Sequence, residues 1–275
     1  MTCFQMTHYK RFSIVITVFV VFMGNFWIFN PVAAPDEMKS THPGRNNNHA
    51  KAPEIDKKYL LGHFDPASDG NFVKVRAPYA HRDHLYLLRD VYNAFIKMHK
   101  AAKADGISLV VISATRNFDY QKKIWQSKWT GRRRVDEKNL AKTVPDPVER
   151  ARIILKYSAM PGSSRHHWGT DIDINSVNKA YFETGEGLKT YQWLVRHAGR
   201  FGFVQPYTPK GKDRPHGYEE EPWHWTYNPI AKIYTRQYRN KIRYDDINGF
   251  DGSEAAPQID VIKHYVLGIN PACLK

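Results

Sequence analysis

The stretch "SSRHHWGTDIDI", Ser163–Ile174, joins two adjacent histidines through a glycine to an alternating run of aspartate and isoleucine. Successive side chains of a β-strand point to opposite faces, so Asp171 and Asp173 share one face. Ile172 and Ile174 share the other face and are predicted to anchor the strand in the core. Because an unpaired buried carboxylate is costly, the two aspartates require partners that compensate their charge.

The glycine in this stretch is suited to a bend between a histidine and a carboxylate. His166 precedes Asp173 by seven residues. In a fully extended chain they would lie about 23 Å apart, which is too far for both to bind one ion at about 2 Å. Gly169 tolerates the backbone conformations of a sharp turn, so the stretch predicts half of a metal site. His167 is interpreted as a supporting or surface group rather than a ligand.

A second segment, "EEEPWHWTY", Glu219–Tyr227, supplies the other half of such a site, with Glu221 three residues before His224. Two histidines and one carboxylate bind catalytic zinc and leave a fourth position for water. A nearby glutamate can accept the proton of that water. Read alone, His224 among aromatic residues is more typical of a structural histidine. Glu219 and Glu220 are typical of a solvated run.

Composition and charge limit the class of partner. The 275 residues are 42% hydrophobic, enough for a sizeable core, and Lys plus Arg outnumber Asp plus Glu by 41 to 27. The net charge of +14 favours nucleic acid, an anionic membrane or an acidic wall polymer. The basic residues are not gathered on one helix face, which argues against nucleic acid. Cys3 and Cys273 indicate neither a disulfide framework nor a cysteine-rich zinc site.

The N-terminal residues are typical of an export segment. Lys10 and Arg11 precede an uncharged, apolar run over residues 12–30, which suits either a cleaved signal or a retained membrane anchor. Pro35 follows the small residues at the end of this segment and disfavours cleavage, which favours the anchor. We predict a signal or anchor, a polar linker and one folded domain, over residues 1–34, 35–53 and 54–275. The domain is then exported to the periplasmic or extracellular side.

Hydrophobic periodicity within the folded domain predicts an α+β fold. Apolar residues at helical spacing predict four helices, over residues 84–106, 118–129, 146–159 and 191–202. Runs rich in β-branched or aromatic residues predict four strands, over residues 107–115, 170–174, 203–205 and 224–227. The tail, residues 230–275, yields no prediction.

Three motifs resemble those of the zinc D-alanyl-D-alanine carboxypeptidases of the vancomycin-resistance type. That family belongs to the superfamily of lysostaphin-like endopeptidases and hedgehog domains. Its signatures Ser-x-His-x-x-Gly-x-Ala-x-Asp and Glu-x-x-His are matched by Ser164, His166, Gly169, Asp173, Glu221 and His224. In "SATRNFDYQ", Arg116 and Gln121 occupy the places of a substrate-facing arginine and glutamine.

The resemblance implies a small antiparallel sheet, flanked by helices, beneath a zinc cleft. His166, Asp173 and His224 would bind Zn²⁺. Glu221 would deprotonate the bound water for attack on a peptide carbonyl. The expected activity is that of a zinc metallopeptidase acting on peptidoglycan stem peptides, most simply a D,D-carboxypeptidase that works as a monomer.

Further residues are implied to face the substrate. Arg116, a planar cation, would hold the substrate carboxylate or a developing oxyanion, and Gln121 and Ser164 would contact the substrate. Three other activities stay open at this point. They are an L,D-carboxypeptidase, a wall endopeptidase and a non-catalytic, zinc-containing wall-binding module.

The sequence departs from the family signature at Asp171, where the family has alanine. Strand alternation places this carboxylate on the same face as Asp173, near the cleft. It could accept the spare N–H of a ligating histidine, or it could bind a side-chain amine of a stem peptide. The supporting role is favoured because two neighbouring carboxylates need positive compensation even without substrate.

Overall fold

The computed structural model describes residues 54–275, so the predicted leader, the linker and Cys3 lie outside the described residues. In chain order, helices α1 to α8 are Lys57–Leu60, Arg89–Ala104, Phe118–Trp129, Leu140–Thr143, Pro147–Ile154, Gly185–His197, Asn228–Lys241 and Ala255–Ile259. Strands β1 to β6 are Phe72–Lys74, Tyr86–Leu88, Val111–Ser113, Asp171–Ile174, Phe203–Val204 and His224–Tyr227. Among the helices of residues 54–275, none combines the length and apolar character that a bilayer-spanning segment requires.

Both sheets are small and antiparallel. The larger has the strand order β3-β4-β6-β5, and β1 pairs with β2 in a separate hairpin. In the register of β4 against β6, Ile172 lies opposite Trp225 and Asp173 lies opposite His224. The prediction of a mixed fold of helices with a small antiparallel sheet is confirmed.

One face of the larger sheet packs against α2 and α6. Ile172, Ile174 and Trp225 are buried there in one apolar cluster, together with Phe95 of α2 and Leu194 of α6. Removing such apolar surface from water is the main favourable contribution to folding. The predicted anchoring role of the two isoleucines is confirmed.

A second apolar cluster lies among α3, α5, α7 and α8, and it holds the histidine-containing turn. Trp168, the last residue of that turn, is fully buried in this cluster, and its indole Nε1 donates to the Leu60 carbonyl at 3.1 Å. The Tyr238 hydroxyl donates to the Gly162 carbonyl at 2.8 Å. The turn is therefore fixed on the side of the sheet away from the first cluster.

The helices with clear sequence signals begin where they were predicted. The predicted helix 118–129 coincides with α3, which begins after the capping side chain of Asn117. Asp146 caps α5 by accepting from two backbone N–H groups, and proline follows at the first turn. This helix ends at Ile154, short of its predicted end at residue 159.

The helix predicted over residues 84–106 is wrong at its start. Tyr86–Leu88 forms β2, and α2 begins only at Arg89. The leucines of this stretch fit helical spacing, but Leu88 pairs with Phe72 in the hairpin. That pairing joins segments distant in sequence, and local periodicity does not report it.

Two other predictions differ from the structure. The strand predicted over residues 107–115 is reduced to β3. The helix predicted over residues 191–202 begins earlier, at Gly185, and its last turn is a separate 3₁₀ helix, Ala198–Phe201. The tail, for which the sequence yields no prediction, contains most of α7 and all of α8.

Gly169 makes the bend that the sequence requires. Its φ of 74° lies in the left-handed region, where residues with a side chain are strained. A Cβ atom at this position would also lie 2.5 Å from the Phe72 ring and 3.2 Å from Leu88. Backbone geometry and packing thus both require glycine here.

Gly169→Ala is expected to lower the free energy of unfolding by about 2 to 4 kcal/mol, because left-handed strain and overpacking add. Gly185→Ala is the matched control, since its φ of 55° is also left-handed but no atom lies within 4 Å of its Cβ position. Urea denaturation followed by tryptophan fluorescence measures both. Equal losses in the two variants would contradict the packing argument.

Candidate metal centre and substrate pocket

The pairing of β4 with β6 brings a carboxylate and a histidine together. Asp173 and His224 are direct partners across the two antiparallel strands, so their side chains project from neighbouring positions on the same face. Asp173 Oδ1 lies 3.4 Å from His224 Nδ1. The pairing therefore fixes two of the three predicted metal ligands.

The third predicted ligand reaches the same point from the turn before β4. His166 lies in the 3₁₀ helix Arg165–Trp168, and its Nε2 is 3.4 Å from Asp173 Oδ1. Its Nδ1 bonds to the Ala114 carbonyl at 2.8 Å, which leaves the Nε2 lone pair directed at the carboxylate. Burial and the nearby Arg116 lower the pKa of His166, which favours the neutral ring.

The three side chains fit a metal ion. One ligand atom from each of His166, Asp173 and His224 lies within 4.8 Å of the others. His166 Nε2 and Asp173 Oδ1 are buried without a hydrogen-bond partner, although buried polar atoms are ordinarily paired. Two imidazole nitrogens and a carboxylate are a donor set that suits Zn²⁺. The residues form a group able to hold a metal, and their identity as zinc ligands stays a prediction.

Asp171 lies behind His224, away from the point where the three ligand atoms converge. It is fully buried, and its Oδ1 lies 2.9 Å from His224 Nε2 and 3.1 Å from Arg165 Nε. The hydroxyls of Thr170 and Thr226 donate to its Oδ2. With both oxygens engaged inside the protein, Asp171 is placed to orient His224, and it does not face the pocket where a substrate amine would lie.

Arg165 is the cation that compensates Asp171. The Arg165 side chain is 1% exposed. Its guanidinium also donates to the hydroxyl oxygens of Thr235 and Thr226, at 2.9 Å each. Burial would raise the pKa of Asp171, but this guanidinium and His224 hold the pKa well below the usual range. Burial would likewise lower the pKa of His224, but hydrogen bonds to Asp171 and Glu221 raise it to about 9.

Glu221 lies on the open side of His224. Its Oε2 is 3.2 Å from His224 Nδ1, the atom that faces the other ligands. The side chain is buried, and burial raises the pKa of Glu221 above its usual value, although His224 acts in the opposite direction. A carboxylate in this position is within reach of a group bound beside the three ligands.

Arg116 is held by both histidines of the turn. Its backbone N–H donates to the His166 carbonyl at 3.0 Å, and its carbonyl bonds to His167 Nδ1 at 2.6 Å. Its guanidinium lies 3.9 Å from Asp173, and its Nε is buried without a partner. His167 is fully buried, so it is a supporting group, and the surface alternative is wrong.

A pocket opens beside the three ligand atoms, and its lining includes two residues that were predicted to contact a substrate. Ser164 and Gln121 both line it. Gln121 donates from Nε2 to the Ala159 carbonyl at 2.8 Å, while its Oε1 is buried without a partner. A wider groove adjoins this pocket and shares Arg116 with it.

Sequence reasoning missed several residues of this pocket: Ser158, Tyr207 and Tyr218. The Tyr207 ring packs edge-on against His224, with centroids 4.8 Å apart. The Tyr218 hydroxyl is buried without a hydrogen-bond partner. Neither tyrosine belongs to a recognisable motif, because both lie on an irregular segment between β5 and β6 that only the fold brings to the site.

Asp171→Asn is expected to weaken zinc binding by about 10- to 100-fold, because the neutral amide orients His224 less firmly and leaves Arg165 without its counter-charge. Competition with a chromophoric chelator measures the zinc affinity. Asp213→Asn, at an exposed position, is the control. Unchanged zinc affinity in Asp171→Asn would show that the bond to His224 does not support the ligand.

Comparisons with known proteins find related carboxypeptidases. A family model described as VanY, D-alanyl-D-alanine carboxypeptidase, matches residues 84–230, just over half of the chain. The chain is 29% identical over 181 residues to YodJ of Bacillus subtilis, which is named as a carboxypeptidase. That alignment covers 63% of this chain and 58% of YodJ. It is 32% identical over 171 residues to a D-alanyl-D-alanine carboxypeptidase of Enterococcus faecalis. This alignment covers 61% of this chain and 53% of that protein.

The chain thus spans little more than half the length of these curated relatives. Among solved structures, a vancomycin-resistance D,D-pentapeptidase of the VanB-type cassette in complex with Zn(II) matches with 27% identity and a TM-score of 0.42, over 58% of this chain and 88% of that one. The family resemblance inferred from the three motifs is confirmed by the family match. The chain belongs to the VanY family of D-alanyl-D-alanine carboxypeptidases.

Proposed function

We propose that this protein is a zinc-dependent D,D-carboxypeptidase that removes the terminal D-alanine from peptidoglycan stem peptides. The observation that carries the proposal is the convergence of His166, Asp173 and His224, with the Glu221 carboxylate 3.2 Å from His224 Nδ1. Membership of the family supports the substrate class. Zn²⁺ bound there would supply a water of lowered pKa and would polarise the scissile carbonyl.

Glu221 acts as the general base. Its Oε2 accepts a proton from the attacking water and afterwards delivers a proton to the leaving amine nitrogen. Burial supports this role, since raising the pKa of a carboxylate makes it a stronger base toward the attacking water. The two preceding glutamates take no part. Glu219 pairs with Lys210 and Glu220 pairs with Lys179 near the surface.

Arg116 supplies fixed positive charge at the pocket. Its backbone is held at both ends of the residue by the histidine turn, so the guanidinium is positioned before substrate binds. The unpartnered Nε supports a role in binding an anionic oxygen, either the substrate carboxylate or the oxyanion formed during attack. Gln121 and Ser164, on the same pocket walls, contact the peptide.

The cellular location follows from the substrate and from the N-terminal sequence. Stem peptides lie outside the cytoplasmic membrane, so we place residues 54–275 on the periplasmic or extracellular side as the catalytic domain. Residues 1–34 serve as the signal or anchor, with the apolar run 12–30 as its membrane segment, and residues 35–53 serve as the linker. The net charge of +14 favours the anionic cell envelope.

Mass spectrometry of muropeptides incubated with the purified full-length protein tests the function. Loss of one D-alanine from pentapeptide stems is the expected result. Loss of D-alanine from tetrapeptide stems would instead indicate an L,D-carboxypeptidase, and separation of cross-linked dimers would indicate an endopeptidase. Unchanged muropeptides with zinc bound would contradict a peptidase role.

Glu221→Gln is expected to lower kcat by about 10²- to 10⁴-fold, because the amide keeps the shape of the side chain but accepts no proton. Zinc content, measured by atomic absorption, should not change, since Glu221 is not assigned as a ligand. Glu219→Gln is the matched control and should retain activity. Equal losses at both glutamates would argue against a single general base.

The wild-type protein is expected to carry about one zinc per chain, and a chelator should abolish activity until zinc is restored. His166→Ala should lose both zinc and activity, because it removes one of three protein ligands. His81→Ala, at an exposed position, is the control. Full zinc content in His166→Ala would remove this residue from the ligand set.

A further inference from the structure

Lys128 is a buried cation beside the pocket that the mechanism above does not use. It lies on α3 and is 7% exposed, and its Nζ donates to the Ser158 hydroxyl at 2.5 Å. Within residues 54–275, no carboxylate forms an ion pair with this ammonium group. Lysine is rarely buried without an anionic partner, because desolvating its charge is costly.

The position of Lys128 on its helix directs it toward the pocket. Gln121, Ile124 and Lys128 are spaced by three and four residues and therefore share one face of α3. Gln121 and Ile124 line the pocket, as does Ser158. Gln121 also donates to the carbonyl of Ala159, the residue after Ser158. Two side chains of α3, Gln121 and Lys128, therefore hold the segment Ser158–Ala159 in the pocket lining.

The contact with Lys128 determines what Ser158 offers to a ligand. Because the hydroxyl oxygen accepts from the ammonium, its own hydrogen stays free to donate into the pocket. The Tyr218 hydroxyl and Arg116 Nε also lack partners in the protein. This end of the pocket is thus rich in donors and positive charge. Gln121 Oε1, an unpartnered acceptor on the same wall, suits a peptide N–H.

The electrostatics of Lys128 support an anionic ligand. Burial lowers the pKa of its ammonium to about 8, and Arg133 and Arg116 act in the same direction. Glu221 and Asp136 oppose that shift but do not reverse it. A carboxylate bound in the pocket would compensate the buried positive charge of Lys128, for which the protein provides no ion-pair partner among residues 54–275.

We infer that Lys128 is a positioning residue for the terminal carboxylate of the substrate. It holds the Ser158 hydroxyl as a donor to that carboxylate and supplies the positive charge that selects a free chain end. The inference rests on the proposed function and deepens it. A peptide whose terminal carboxylate is blocked lacks the group that this arrangement binds, so the pair favours removal of an end residue over cleavage within a chain.

The test compares Lys128→Met with Lys123→Met, an exposed lysine on the same helix. The substrates are a peptide ending in D-Ala-D-Ala and its C-terminal amide. Lys128→Met is expected to raise KM for the free acid by about 10- to 100-fold, since charge-assisted hydrogen bonds are lost, with little change in kcat. KM for the amide should change little, and Lys123→Met should match the wild type.

A second variant keeps the test independent of folding defects. Ser158→Ala should raise KM for the acid similarly, and the double variant should add little, because the two residues act as one unit. Zinc content and thermal unfolding identify any damaged variant. An equal rise in KM for acid and amide, or additive losses in the double variant, would overturn the inference.

Failure of the proposed function would give a different result. If the wild type does not hydrolyse the D-Ala-D-Ala peptide, calorimetric titration of the uncleaved acid and amide still makes the comparison. Preference of the wild type for the acid, lost in Lys128→Met, would support the carboxylate site without the peptidase. Equal binding of acid and amide by the wild type would refute it.

Discussion

The candidate metal centre depends on the register of one strand pair. Asp173 and His224 meet because they are direct partners between β4 and β6. A slip of one residue would turn the carboxylate toward the apolar cluster and an isoleucine toward the pocket. Ile172 and Trp225, paired on the opposite face, oppose such a slip because both would leave the core. The same apolar contacts that stabilise the sheet therefore determine the chemistry on its other face.

Fixing ligands in this way concentrates charge inside the protein, and the structure compensates it locally. Asp171, Asp173 and Glu221 are all buried close to His224. Arg165 neutralises Asp171 from behind, at a position that the family signature leaves variable. Removing one partner of a buried ion pair typically costs about 3 to 5 kcal/mol, so aspartate at position 171 requires a cation such as Arg165. The departure from the family signature is thus understandable as one half of a buried pair.

Much of the site could be predicted because its signals are local. Alternation in "TDIDI", the glycine bend and the glutamate three residues before His224 each follow from short-range geometry. The boundaries of α2 and the hairpin of β1 with β2 could not be predicted, because strand pairing overrode a helical pattern. Lys128, Ser158 and Tyr218 carry no motif and reach the pocket only through packing. The partner of Asp171 was anticipated as positive charge, but its identity as Arg165 needed the fold.

The centre joins one short stretch, which holds His166 and Asp173, to His224 in a distant part of the chain. The contact of Asp171 with His224 spans 53 residues, and that of His166 with Ala114 spans 52. In an unfolded chain the complete set of three ligands would require the closing of a long loop, which is entropically unfavourable. A metal that binds only the native state stabilises it in proportion to the logarithm of its free concentration. If zinc fills this centre, its free concentration would then influence how long the protein resists proteolysis.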